Sequence, residues 1–201
     1  MIKKLSFIGL GQMGRPLAEK LLAAGYPVTG YDKCKKVEKL FSGQTGNTLR
    51  DALKDSDLVI TMLPSGKEVG EVLLKNNNFL ITSKDCVLLN MSSSSPFGTI
   101  SLGECLTRRG GLLDAPVSGG VRRAAEGSLS IMVGGSHNLY LRQRKLFDTL
   151  ASKVFYCGEL GSGHAMKSLN NYVSAAGLIA ACEALIAAEN FGISPSCLLI
   201  S

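Results

Sequence analysis

The stretch FIGLGQMG, residues 7–14, constrains this chain more than any other. It sets Gly9, Gly11 and Gly14 at a G-x-G-x-x-G spacing. The strand-like run KLSFIGL leads into it, and Met13, Leu17, Leu21 and Leu22 then fall at helical spacing. In that setting the three glycines have separate roles. Gly9 makes the tight turn, Gly11 lets a ligand approach the backbone, and Gly14 lets helix and strand pack closely. With Leu10, Gln12 and Met13 they form a candidate ligand loop. Its helix N-terminus offers N–H groups and a positive dipole end to an anion such as a pyrophosphate. The plainer alternative is a strand–helix turn without a ligand. The next strand, PVTGYD, ends in Asp32, 18 residues after Gly14. A carboxylate there accepts from a ribose hydroxyl and repels a 2′-phosphate, so the pattern favours NAD over NADP; Lys33 beside it softens the preference.

The alternation continues down the chain. LVITML (58–63), CVLLNM (86–91), GLLDAPV (111–117), SLSIMVGG (128–135) and KVFYCG (153–158) read as strands. Helical segments lie between them: Leu49–Lys54, GKEVGEVLL, SPFGTISLGECLTRRG (95–110) and HNLYLRQRKLFDTL (137–150). This pattern predicts a Rossmann-type, doubly wound α/β sheet over residues 1–162. Met62, Leu63, Pro64 and Ser65 follow one strand, and Ser92 and Ser93 follow the next, at the sheet edge where ligands bind. Met62, Leu63, Pro64 and Ser93 are therefore cofactor candidates, with plain helix capping as an equal alternative for the serines. From residue 163 the alternation stops and one long, nearly all-apolar helix begins. It reads as the start of an all-α second domain, incomplete at residue 201, that buries itself against a partner, most simply a second copy. A transmembrane reading is disfavoured by Glu183, the alanine content and the lack of a basic flank.

Composition narrows the partners. The net charge of +6 is scattered, and the chain has no Trp, so no nucleic-acid platform is expected; small acidic ligands fit the mild excess better. The six cysteines form no C-x-x-C pair, which argues against a zinc site and a disulfide scaffold. MIKKLSFIGLG runs straight into a strand, so the cytoplasm is the default compartment, though an organellar chain whose presequence had been removed would read alike.

Four stretches, FIGLGQMG, DAPVSGG (114–120), GSLSIMVGG (127–135) and GSGHAMKSLNN (161–171), resemble the β-hydroxyacid dehydrogenase family, most closely its 3-hydroxyisobutyrate dehydrogenase-like members. The resemblance implies that the glycine motif binds the dinucleotide and that Asp32 is the NAD-type acid. It implies that Ser93 lies near the nicotinamide, and that Ser118, Gly119 and Gly120 bind substrate. Lys167 matches the catalytic lysine and Asn171 the asparagine that helps hold substrate. No metal is implied. Two departures stand out. Arg122 and Arg123 follow the SGG loop where close relatives often have a glycine and an alanine; they either recruit an anion or are solvated. Family members also extend beyond the long helix, with a second lysine there that has no counterpart here. The resemblance thus implies hydride transfer between a small β-hydroxy acid and NAD, with Lys167 as general acid/base. The alternative is an NAD-binding or regulatory protein without turnover.

The residues bear on Lys167 independently. It is the only formal charge from Ala165 to Cys182. Partial burial at a helix start would lower its pKa toward working pH, and Asn171 lies four residues on, on the same helical face. The plainer alternative is a snorkelling lysine with a packed stem and a wet head. His164 reads as a helix-start residue, with a cofactor contact as the alternative, and His137 as solvent-facing. Glu183 and Glu189 are candidates to pair across an interface.

Overall fold

The computed structural model describes residues 2–106 and 110–198. Among the described residues, one nine-stranded sheet is laid down by strands and helices in alternation. β1 (Leu5–Ile8), β2 (Val28–Tyr31), β3 (Gln44–Thr45), β4 (Leu58–Thr61), β5 (Val87–Asn90) and β6 (Gly111–Asp114) run parallel in the order 3-2-1-4-5-6. β8 (Leu129–Gly135) adds antiparallel to β6, and it pairs antiparallel with β7 (Val117–Ser118) and parallel with β9 (Ala151–Gly158). The strand order reverses between β1 and β4. That reversal opens a crevice at the carboxyl ends of those two strands, where the glycine loop lies.

β1, β4 and β5 are buried on both faces, and their alternate residues divide the core in two. Leu5 and Phe7 of β1, Leu58 and Ile60 of β4, and Val87 and Leu89 of β5 enter one cluster. Ile8, Val59 and Leu88 enter the other. Helix α1 (Gly14–Ala23) supplies Leu17, Ala18 and Leu21 to the first cluster, and α7 (His137–Leu150) supplies Tyr140, Leu146, Phe147 and Leu150. Helices α3 (Leu49–Leu53), α4 (Gly66–Leu74) and α5 (Pro96–Cys105) cover the second with Leu53, Val69, Leu73 and Leu102. Side chains cap these three helices: Thr48 forms a capping box with Asp51, Ser65 accepts from the Lys67 N–H, and Ser95, the cap read from the sequence, accepts from the Gly98 N–H with Pro96 in the first turn.

Some short elements carry no periodic signal. They are α2 (Lys35–Glu38), α6 (Gly120–Glu126) and a 3₁₀ segment at Lys75–Ile81 in which Asn76 and Asn77 are left-handed. The sequence reading of α5 extends to residue 110; residues 107–109 lie outside the described residues, and the helix ends at Cys105. The strand read as 58–63 stops at Thr61, freeing Met62 and Leu63 for a loop.

The chain divides into two compact units, residues 1–166 and 167–201. Helix α8 (Ser162–Asn190) begins in the first, and from Lys167 onward it makes up most of the second, with α9 (Pro195–Leu198) after it. In the second unit Tyr172, Val173, Leu178, Ile179, Ile186 and Phe191 are exposed. By length and composition alone, α8 is long and apolar enough to cross a membrane.

Candidate active site

The crevice at the strand-order reversal is a cavity of about 470 Å³. Gly9, Gly11, Gln12, Met13, Gly14, Asp32, Met62, Leu63, Pro64 and Ser93 all line it. Leu10 does not: its side chain is packed into the core, and its contribution is a backbone N–H. A Cβ on Gly14 would collide with the Gly9 carbonyl oxygen, so the closeness of helix and loop depends on that hydrogen. A Cβ on Gly11 would meet no protein atom within 4 Å. The protein itself therefore does not require a glycine there, whereas a ligand pressed against the backbone does. This fits a dinucleotide pyrophosphate.

Asp32 is held rigidly in place. Oδ2 accepts from the Leu10 N–H at 2.8 Å and Oδ1 from the Cys34 N–H at 2.8 Å. Each oxygen keeps a lone pair for a ribose hydroxyl. The sequence reading missed Tyr31, Lys33, Glu68, Glu71 and Val72 as further lining residues. Glu68, Glu71 and Val72 share a helical spacing on α4, directly after the Met62–Ser65 loop, and that was the available signal. The Ser65 hydroxyl bonds Glu68 and holds its carboxyl below the ordinary range. Near Asp32, Lys35 is occupied by Glu38 at 2.6 Å. The lining thus carries Asp32, Glu68 and Glu71 against Lys33, a field that disfavours an extra 2′-phosphate.

Ser95 caps α5, while Ser93 lines the cavity. Ser118 ends β7, and Gly119 and Gly120 open α6; none of the three lines the cavity. In the second unit Lys167 is half-buried, and burial holds its ammonium below the ordinary lysine pKa. Asn171 is exposed on the same helix four residues on.

Sequence reasoning missed a buried polar cluster around Asp114, at the end of β6. Asp114 Oδ1 accepts from the Gly161 N–H at 2.8 Å and Oδ2 from the His164 N–H at 2.7 Å. The carboxylate therefore caps the start of α8 from another element. The His164 ring bonds Thr99 Oγ1 at 2.8 Å through Nδ1 and the Ser92 carbonyl at 2.9 Å through Nε2. A lone carboxylate at the end of GLLD was the available signal; its partner lies 50 residues away.

Burial lowers the pKa of His164, against the opposing pull of Asp114 and the Ser92 carbonyl. The half-buried Cys157 thiol, also facing Asp114, is pushed up, first by burial and then by that charge. A histidine depressed on folding is protonated first in the unfolded chain. Its contribution to stability is complete above the ordinary histidine pKa and is lost as pH falls through it toward the lower folded value. Lowering pH from about 7.5 to about 5.5 should therefore reduce the urea midpoint more in the wild type than in His164→Gln. Equal shifts in the two proteins would contradict this.

Residues 4–158 match the model for the NAD binding domain of 6-phosphogluconate dehydrogenase, and residues 161–200 match that for the NAD-binding domain of NADP-dependent 3-hydroxyisobutyrate dehydrogenase. The chain belongs to the β-hydroxyacid dehydrogenase family. The mitochondrial 3-hydroxyisobutyrate dehydrogenase of Rattus norvegicus is 36% identical over 199 residues, covering 96% of this chain and 59% of that protein. The human mitochondrial enzyme of the same name is 34% identical over 200 residues, with 96% and 59% covered. The solved structure of Mycobacterium tuberculosis 3-hydroxyisobutyrate dehydrogenase with L-serine superposes with a TM-score of 0.93 at 32% identity, covering 98% of this chain and 69% of that one. The chain thus spans about three fifths of the length of these mammalian relatives.

Proposed function

We propose that this chain oxidises a small β-hydroxy acid of the 3-hydroxyisobutyrate type, passing hydride to NAD. The observation that carries the proposal is the cavity itself: the glycine loop, Asp32 and Ser93 meet around one space, in a chain related to enzymes of that name. Bound NAD supplies the hydride acceptor. The glycine loop holds the pyrophosphate, Asp32 the ribose, and Ser93 the nicotinamide end. Lys167 takes the hydroxyl proton at Nζ, and its lowered pKa enlarges the share of neutral amine available to do so. Asn171 orients the substrate. Ser118 and the N–H groups of Gly119 and Gly120 hold the carboxylate, as successive N–H groups in a turn do.

The test is a panel of 3-hydroxy acids offered with NAD to the full chain, following reduced nicotinamide by absorbance. Turnover of a small β-hydroxy acid is expected. NAD binding without turnover of any of them would contradict the proposal. The exposed apolar side chains between Tyr172 and Ile186 support self-association through α8 as part of the same proposal. Sedimentation should find a homo-oligomer, and a soluble monomer at high concentration would contradict it.

A further inference from the structure

His164 takes no part in the chemistry above, yet it is 1% exposed and both ring nitrogens are engaged. The Ser92 carbonyl can only accept, so Nε2 carries a proton. In the neutral ring, favoured by burial, Nδ1 is then an acceptor and the Thr99 hydroxyl donates to it. The backbone beneath the ring is fixed as well. Asp114 binds the His164 backbone N–H, and its Oδ2 lies 3.5 Å from Nδ1.

What the ring holds is a junction of the cleft wall. Ser92 Oγ accepts from the Leu63 N–H at 2.9 Å and donates to the Thr61 carbonyl at 3.3 Å. The Ser92 N–H donates to Asn90 Oδ1 at 3.1 Å. Ser92 is buried, but Leu63 and its own neighbour Ser93 line the cavity. One residue thus ties together the loop after β4 and the loop after β5, and His164 is bonded to its carbonyl. A ring that merely filled space would not need a donor there.

We propose that His164 is a positioning residue for the cofactor cleft. Through its Nε2–H bond to Ser92 it sets the loops carrying Leu63 and Ser93 for the dinucleotide. The proposal rests on reading this cavity as the NAD site.

The test compares the full wild-type chain with His164→Leu, which keeps bulk without a donor, and with His164→Gln, whose amide nitrogen can reach the same carbonyl. NAD+ affinity is measured by calorimetry, and the wild-type imidazole nitrogens are followed by NMR as NAD+ is added. His164→Leu should weaken NAD+ binding about tenfold, and His164→Gln should recover it to within about threefold of wild type. NAD+ should shift the wild-type Nε2 resonance, although the ring lies outside the cavity lining. Wild-type affinity in His164→Leu would overturn the role of His164 and leave the cleft reading intact. Equal losses in the two variants, or a resonance that NAD+ does not move, would do the same. A wild-type chain that does not bind NAD+ would overturn the cleft reading and, with it, the role of His164.

Discussion

Lys167→Ala should lower the turnover of a small β-hydroxy acid by about a thousandfold, the scale on which a positioned general acid/base acts. NAD+ affinity should be unchanged, because none of the residues lining the cavity lies beyond Ser93. The expected signature is a loss in kcat with the cofactor dissociation constant preserved. The lysine's environment supports this role. Burial is the cause of its lowered pKa, and it works against the charged form, so an amine able to take a proton is more abundant than on an ordinary surface lysine. A snorkelling lysine would predict no effect on turnover. A variant retaining more than about a tenth of wild-type turnover would remove Lys167 from the proton transfer.

The second large effect falls on folding and cofactor binding together. In Gly14→Ala the new Cβ would overlap the Gly9 carbonyl oxygen, stand 2.9 Å from the Gly9 carbonyl carbon and lie 3.2 Å from Phe7 Cε1. Two of these atoms are backbone, and Phe7 is fully buried, so there is no flexible side-chain end to give way. Helix α1 must move off the loop. Overpacking of this kind costs about 3 kcal/mol, and the displaced N–H groups no longer converge on a pyrophosphate. Urea unfolding and NAD+ titration should both register the change. Gly11→Ala is the informative contrast. Its Cβ meets no protein atom, so stability should hold while NAD+ binding falls. Loss of stability in Gly11→Ala, or wild-type NAD+ affinity in either variant, would contradict the assignment of the loop.

These contrasts mark how far the sequence was legible. The glycine spacing, the apolar strands and the acid ending the second strand are local signals, and ten of the eleven cofactor candidates line the cavity. Leu10 is the exception, because alternate residues leaving a strand turn inward; only its backbone serves the site. Helix α6 escaped because its sole buried residue is Ala124, so it has no apolar stripe to read. β3 is two exposed residues long. The Asp114–His164 cluster was invisible for a different reason. It joins residues from β6, α5, the loop after β5 and the start of α8, which only the folded sheet brings together. His164 as a helix-start residue was legible; the polar contacts of its ring were not.

The central claim is that this crevice holds NAD, with Asp32 reading the ribose. Calorimetric titration of the full chain with NAD+ and NADP+, repeated on Asp32→Ser, tests it most directly. Wild type should bind NAD+ at least about tenfold more tightly than NADP+, and Asp32→Ser should narrow or reverse that ratio as the carboxylate's repulsion is removed. Equal or tighter NADP+ binding by wild type, or a ratio that Asp32→Ser leaves untouched, would contradict it.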